Sequence, residues 1–217
     1  MALALFDLDN TLLAGDSDYL WGEFLTEQGI VDRETYEREN LRFYEDYKKG
    51  TLDIHKFQAF SQQPLVNNGT EKMLALREQF VEQKIRPIMS PASFELIEHH
   101  RKLGDTLVVI TATNSFVTQP IVTAFGIENL LATEPEVIDG KYTGKIAGIP
   151  CFQGGKVDRL HIWMQEHGLS MQGSWFYSDS HNDLPLLKEV DYPVAVDADE
   201  QLLNYARSQG WKIMSLR

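Results

Sequence analysis

Three short apolar runs, each ending abruptly in a polar cluster, constrain the fold of this chain more than any other feature. Residues 3–7 read Leu-Ala-Leu-Phe-Asp and give way to Leu-Asp-Asn-Thr. Residues 106–110 read Thr-Leu-Val-Val-Ile and run into Thr111, Ala112, Thr113, Asn114 and Ser115. Residues 174–178 read Ser-Trp-Phe-Tyr-Ser and run into Asp179, Ser180, His181, Asn182 and Asp183. A strand covered on both faces of a parallel sheet is apolar throughout and meets polar loop chemistry only at its carboxyl end. Shorter runs at 193–196 and 212–216 supply two further candidate strands. Segments with helical apolar spacing lie between them, at 92–103, 116–125, 155–167 and 199–208. Strand and helix alternating in this way predict an α/β fold built on a doubly wound, mostly parallel sheet.

Residues 15–88 break the alternation. No convincing strand occurs there, and the apolar spacing is helical: Tyr36, Phe43, Tyr44 and Tyr47 share one face, as do Met73, Leu76 and Phe80. Gly29, Gly50-Thr51 and Pro64 with Asn67-Asn68-Gly69 divide the stretch into about four helices. The predicted organisation is a core formed by 1–14 and 89–217, interrupted by a helical insert at 15–88. The aromatic stripe is expected to be the insert's own core, since an amphipathic helix must bury one face. Asp139-Gly140 between Val137-Ile138 and residues 142–146 predicts a small β-hairpin.

Composition excludes several functions. With 20 Lys and Arg against 32 Asp and Glu, the formal net charge of −12 repels a phosphate backbone, so nucleic acid is not an expected partner. No run approaches the roughly 18 apolar residues that a membrane span needs. The amino terminus lacks the basic flank of a signal peptide, and Cys151 stands alone, which suits a reducing, cytoplasmic setting. The six histidines show no His-x-His or His-Glu-x-x-His spacing, so zinc hydrolysis is not expected.

The chemistry concentrates where the three runs end. Asp7 and Asp9 are two residues apart, so period-two geometry sends both side chains into the crevice at the carboxyl edge of the sheet. Two carboxylates there require a proton or a cation between them. Thr111 and the amides after it, Ala112 among them, lead into a helix N-terminus and present donors to an anion. Lys156 follows Gly154-Gly155, whose mobility would let the ammonium reach inward, and Asp179 and Asp183 close the third run. Each has an ordinary reading alone, as a helix cap or a solvated charge. Together they place acids, a hydroxyl and a lysine on one edge of one sheet.

Phe6-Asp7-Leu8-Asp9-Asn10-Thr11, Thr111, Lys156 and residues 178–183 resemble the four motifs of the haloacid dehalogenase superfamily of phosphohydrolases. The helical insert is similar to the C1 cap of the branch that includes phosphoserine phosphatase. The resemblance spans nearly the whole chain and implies a Rossmannoid core carrying a cap. It implies that Asp7 is the nucleophile, forming an aspartyl-phosphate, and that Asp9 is the general acid and then the general base. It further implies that Mg2+ binds Asp7, the Asp9 backbone carbonyl and Asp179. Thr111, Ala112 and Lys156 would hold the phosphate, with Asn182 and Asp183 supporting the metal and the lysine. Thr111-Ala112 and Ser178-Asp179-Ser180-His181 depart from the Ser-Gly and Gly-Asp-Gly usual in phosphoserine phosphatases. The departure bears on the substrate rather than on the chemistry.

Electrostatics asks for the same parts. A carboxylate attacking a phosphate dianion meets repulsion of about 8 kcal/mol, at ~4 kcal/mol per charge pair 4 Å apart and an effective dielectric near 20. That is nearly six decades of rate at ~1.4 kcal/mol per decade. A divalent cation and a lysine aimed at the same oxygens offset it, and Mg2+ suits hard oxygen ligands. Asp9 must be protonated as the alkoxide leaves, so its pKa is expected to be raised by neighbouring carboxylates.

The substrate should be read by the insert. Asp16 and Asp18, with Glu23 one turn on, suit a cationic amine, while Arg33, Arg38 and Arg42 are the arginines available to a substrate carboxylate. Tyr19, Trp21 and Tyr44 are aromatic candidates. A small phosphorylated metabolite is expected, histidinol phosphate first and O-phosphoserine as the alternative. A phosphotransferase or a receiver-type signalling module uses a similar acidic edge, but a receiver lacks both the insert and an acid at the position of Asp9.

Overall fold

The computed structural model describes residues 2–217. The first apolar run forms β1 (Leu3–Phe6), and the chain then leaves the sheet for a helical insert. There α1 (Ser17–Glu27), α2 (Arg33–Lys48), α3 (Ile54–Ser61), α4 (Gln63–Asn67) and α5 (Thr70–Phe80) follow one another. Asp16, Asp32 and Asp53 cap α1, α2 and α3 by accepting main-chain N–H bonds, so the aspartates that precede each apolar face also set where each helix begins. The insert has one helix more than its spacing predicts, because Pro64 at the start of α4 restarts the chain just after α3 ends.

The sheet resumes with α6 (Pro91–Leu103), β2 (Thr106–Asn114), α7 (Ser115–Ala124), β3 (Asn129–Ile138) and β4 (Lys141–Ala147). It ends with α8 (Gly154–His167), β5 (Trp175–Ser178), α9 (Leu184–Leu187), β6 (Tyr192–Val196), α10 (Glu200–Gln209) and β7 (Lys212–Met214). The strand order is β4-β3-β2-β1-β5-β6-β7, parallel except where β4 runs back against β3. The fold is the doubly wound α/β sheet that the three runs predict. β1 lies at its centre, with Leu3 opposite Thr106 on one side and Ala4 opposite Trp175 on the other. The carboxyl ends of β1, β2 and β5 therefore meet where the winding reverses, the place such sheets bind ligands.

Two features were not foreseen. The hairpin at Asp139-Gly140 is present, but its first strand begins at Asn129 and extends the main sheet, pairing Val108 with Asn129. Charged residues and Pro135 within β3 hide it from an apolar-run reading. Second, Thr111 to Asn114 belong to β2 rather than to a loop. Ile110 pairs with Leu131 and Asn114 with Thr133, so three residues of β2 face one of β3. This bulge turns the hydroxyls of the strand end out of the ladder and toward β1.

Alternation along β1 divides the core. Ala4 and Phe6 join one apolar cluster, Leu3 and Leu5 the other, and all four are buried. The first cluster continues into the insert: Trp21, Phe24, Met73 and Phe80 pack in it with Phe116, Val117 and Ile121 of α7. Where the chain leaves and rejoins the sheet, Leu13 and Met89 form an isolated antiparallel bridge. Behind the first motif, the Arg217 guanidinium donates to the carbonyls of Asn10 at 2.5 Å and Leu13 at 2.8 Å.

Candidate active site

Asp7 follows β1 directly and is 4% exposed. The next five residues form one wide turn, which Asn10 permits by adopting a left-handed conformation (φ 55°). Asp9 thus faces the same cavity as Asp7. Its carboxylate is pinned from two sides, accepting from the Ser17 backbone N–H at 2.6 Å and from Thr113 Oγ1 at 2.8 Å. Thr111 Oγ1 lies 3.5 Å from the same Asp9 oxygen, and the Ala112 carbonyl accepts from Gln58 of the insert.

Lys156 comes from the first turn of α8 and is 2% exposed. Its ammonium bridges Asp7 Oδ1 at 2.9 Å and Asp183 Oδ2 at 2.8 Å. Burial works against its charge, and the Asp183 and Asp7 carboxylates outweigh that effect, so the lysine is held charged. The glycine pair before it does not serve mobility. A Cβ at Gly155 would lie 2.1 Å from the Pro150 carbonyl oxygen, so glycine is required there by close packing of the backbone. Asp179 follows β5; its Oδ1 accepts from Thr11 Oγ1 at 3.0 Å, and its N–H donates back to that hydroxyl at 3.0 Å. Asp183 also accepts from Ser178 Oγ at 2.7 Å.

Asn182 makes its side-chain bonds toward the insert. Its amide donates to the Tyr47 carbonyl at 2.9 Å and accepts from Gln153 at 3.0 Å, so it faces the insert rather than Lys156. The reason is local: the turn after β5 closes with Asp183 pointing back at the lysine and its neighbour pointing outward.

The carboxylates outnumber the cations. Burial pushes Asp7 up to about 7 despite the pull of Lys156. Burial first, then the Asp16 charge, raises Asp9 to about 6, although the Ser17 bond opposes this. The expected rise is present, but burial leads it rather than neighbouring acids. Burial and the charges of Asp7 and Asp183 hold Asp179 well above the usual carboxylate range. Such a cluster favours a bound cation or retained protons.

The insert roofs the site. Asp16 and Asp18 line the cavity with Tyr19, Phe43, Tyr44 and Tyr47. The aromatic stripe therefore divides: Tyr36 and Phe43 are buried in the insert, while Tyr44 and Tyr47 face the acids. Asp16 Oδ1 caps α1, and Asp18 accepts from Ser61 Oγ at 3.1 Å. Burial and the Asp16 and Asp9 charges push Asp18 up to about 8. Glu23 lies outside the lining, and Trp21 packs against Phe80 in the core. Arg33 pairs with Glu37, and Arg38 and Arg42 pair with Glu39, all on the surface. His181 bonds Asp199, the cap of α10. Thr113, Gln58 and Gln153 escaped the sequence reading. Only Thr113 carried a signal, two residues from Thr111 and so on the same side of an extended strand.

A parallel sheet with paired aspartates, hydroxyls and a buried lysine on its carboxyl edge, roofed by helices, is the architecture of a capped phosphohydrolase on a doubly wound sheet. The chain belongs to the haloacid dehalogenase-like hydrolases, whose family model matches residues 4–188. It is 41% identical to a histidinol-phosphatase of Neisseria meningitidis serogroup C, over 99% of each chain. A protein of unknown function from Bordetella pertussis Tohama I superposes with a TM-score of 0.94 at 40% identity, covering 100% of this chain and 99% of that one. A phospho-aspartyl intermediate analogue of phosphoserine phosphatase shares the fold with a TM-score of 0.73 at 18% identity, covering 100% and 93%. No helix among the described residues is long and apolar enough to cross a membrane.

Proposed function

We propose that the enzyme hydrolyses a small phosphomonoester bearing a cationic amine, histidinol phosphate, through a phosphoryl group carried on Asp7. The observation that carries the substrate is the make-up of the cavity. Among the described residues its lining holds Asp7, Asp9, Asp16, Asp18 and several aromatics and no arginine, and Lys156 lies behind Asp7 at the phosphate end, away from Asp16 and Asp18. A charge pair 4 Å apart is worth ~4 kcal/mol at an effective dielectric near 20. An ammonium near Asp16 and Asp18 gains on that scale, and a carboxylate there loses on it. Histidinol phosphate has the amine and an imidazole to set against Tyr19 and Tyr44, with no carboxylate. O-Phosphoserine has a carboxylate, and the insert arginines that would meet it are spent on surface pairs. The histidinol-phosphatase relative supports the same reading.

In the proposed reaction an Asp7 carboxylate oxygen attacks phosphorus, the ester P–O bond breaks, and the leaving alkoxide takes the Asp9 proton. Asp9 then takes a proton from water as the water oxygen attacks phosphorus. The Asp7–phosphorus linkage breaks and inorganic phosphate leaves. The Lys156 ammonium has three donors and spends two on Asp7 and Asp183, leaving one for a phosphate oxygen. Thr111, whose hydroxyl lies on the Asp9 side of the cavity and accepts from the Thr113 N–H at 3.2 Å, would donate to the same phosphate.

The donor set fits Mg2+. Asp7 and Asp179 each spend Oδ1 on a protein partner, and among the described residues neither Oδ2 accepts a protein hydrogen bond. No group of three or more His, Cys, Asp or Glu side chains is arranged as a cage among the described residues. Mg2+ characteristically takes one or two carboxylates plus substrate phosphate and water. Asp7, Asp179 and the Asp9 backbone carbonyl would hold it, and when bound it neutralises charge on the transferring phosphoryl group.

The test is phosphate release from histidinol phosphate and O-phosphoserine, with Mg2+ and with EDTA, wild type beside Asp7→Asn. We expect magnesium-dependent release, at least about tenfold faster from histidinol phosphate at limiting substrate, an advantage of ~1.4 kcal/mol, and none from Asp7→Asn. A preference for O-phosphoserine would remove the substrate assignment, and full activity in Asp7→Asn would remove the nucleophile.

A further inference from the structure

Gln153 immediately precedes α8, the helix that delivers Lys156, and its backbone (φ 48°, ψ −121°) is one that side chains rarely adopt. Glycine would take this shape freely; a larger residue keeps it only where the surroundings demand it. The Gln153 side chain runs away from α8 and crosses to the insert. Its Nε2 donates to the Gly50 carbonyl at 3.4 Å and to Asn182 Oδ1 at 3.0 Å. Asn182 Nδ2 donates in turn to the Tyr47 carbonyl at 2.9 Å. The amide orientations are forced, because a carbonyl only accepts: Asn182 must offer its NH2 to Tyr47 and its oxygen to Gln153, which must then offer its own NH2.

Tyr47 and Gly50 close the C-terminal end of α2, where helix carbonyls need outside partners. The fit there is tight. Gly50 has φ 71°, and a Cβ on it would lie 3.0 Å from His181 Nε2. The end of the cap that covers the cavity is therefore bonded to the loop before Lys156 and to the loop carrying Asp179 and Asp183.

We propose that Gln153 is a positioning residue, tying closure of the cap to the placement of Lys156 through its bond to the Gly50 carbonyl. With the cap seated, the bond holds Gln153 in its strained conformation and fixes the first turn of α8, so the ammonium sits between Asp7 and Asp183. With the cap lifted, Gln153 keeps only its bond to Asn182 Oδ1, which itself loses the Tyr47 carbonyl, and the hold from the cap is gone. Phosphate is then gripped by a fully placed lysine only when the rest of the substrate has been covered. The proposal rests on the phosphatase reading above, and one arm of its test is independent of turnover.

Two variants approach the contact from opposite sides. Gln153→Gly keeps the backbone shape accessible and removes the amide. Gly50→Ala sets a methyl against His181 Nε2 at 3.0 Å and Asn182 Oδ1 at 3.5 Å, on a left-handed backbone, and so presses the cap end away from that loop. For both, we expect kcat on histidinol phosphate to fall about tenfold, the scale of one lost hydrogen bond to a placed group, with KM within about twofold. Acetyl phosphate, which has no side chain for the cap to cover, should be turned over within about twofold of wild type by Gly50→Ala. Amide hydrogen exchange across residues 47–52 should accelerate in Gln153→Gly at unchanged melting temperature. In Gly50→Ala it should accelerate by more than across the rest of the chain, whose exchange follows the small fall in melting temperature that a side chain on this left-handed backbone brings. An equal loss on the two substrates in Gly50→Ala would reduce the contact to general support and overturn the coupling. Unchanged exchange in Gln153→Gly would overturn it as well, even if neither compound were hydrolysed, the result that sinks the phosphatase reading instead.

Discussion

Asp18, which we propose meets the substrate amine, shows what such a residue costs before its ligand arrives. It is 7% exposed and pushed up to about 8 by burial and then by the charges of Asp16 and Asp9. A carboxyl whose folded value lies above its unfolded one binds its proton more tightly in the native state. That contribution is complete below the ordinary value of 3.8 and is lost as pH rises toward 8. At ~1.4 kcal/mol per pH unit the window is worth a few kcal/mol. Asp18→Asn keeps a polar partner for Ser61 and removes the titration. Urea denaturation should find it more stable than wild type at pH 8 and no more stable at pH 4, while its KM for histidinol phosphate rises about tenfold. A stability difference that does not change with pH would contradict this account. At this scale the sequence was informative wherever an acid or hydroxyl followed an apolar run, because buried strands advertise their ends. Asp7, Asp9, Thr111 and Asp179 were visible for that reason. Gln153 and Gln58 were not, since an amide reaching across the chain to a carbonyl leaves no spacing behind it.

Among the elements, α8 carries the sharpest test of local packing. Its Gly155 lies where a Cβ would meet a backbone oxygen of Pro150 at 2.1 Å, and neither partner is a flexible side-chain end. Gly155→Ala must move the helix start, and overpacking of this kind costs about 1–3 kcal/mol. Because Lys156 is the next residue, kcat should fall with stability, whereas Gly154→Ala, with open space at its Cβ, should leave both near wild type. Equal behaviour of the two alanines, measured by thermal melts and phosphate release, would show that close approach is not what glycine supplies. The strands divide by their surroundings. β1, β2 and β5 were legible because both faces are covered, whereas β3 mixes Glu134, Pro135 and Glu136 into its length and was read only at its hairpin end. The bulge in β2 was hidden too, because a register shift belongs to a pair of strands and one strand's composition does not encode it.

For the molecule as a whole, the insert and the sheet share one core. Trp21 packs edge-on against Phe80 at 5.1 Å, and both join the cluster that contains Phe116 and Phe6. Phe80→Ala should therefore cost about 3–5 kcal/mol. Unfolding followed by tryptophan fluorescence and by far-ultraviolet circular dichroism should give one coincident transition. Circular dichroism lost ahead of fluorescence would mean that the helical insert melts by itself, since Trp163, Trp175 and Trp211 lie outside it and only Trp21 inside. The boundaries at 15 and 88 read from the sequence mark where the chain leaves and rejoins the sheet, so we propose them as a division of topology rather than of stability. The central place of β1 has a consequence for synthesis. Leu3 pairs with Thr106 and Ala4 with Trp175, so β1 is synthesised well before either of its neighbours and waits for them. Such long-range pairing is slow and leaves an apolar edge uncovered in the meantime. Asp7, translated well before Lys156 and Asp183, thus reaches its place only after they are made, and a nascent chain stalled before β5 carries the proposed nucleophile without the site.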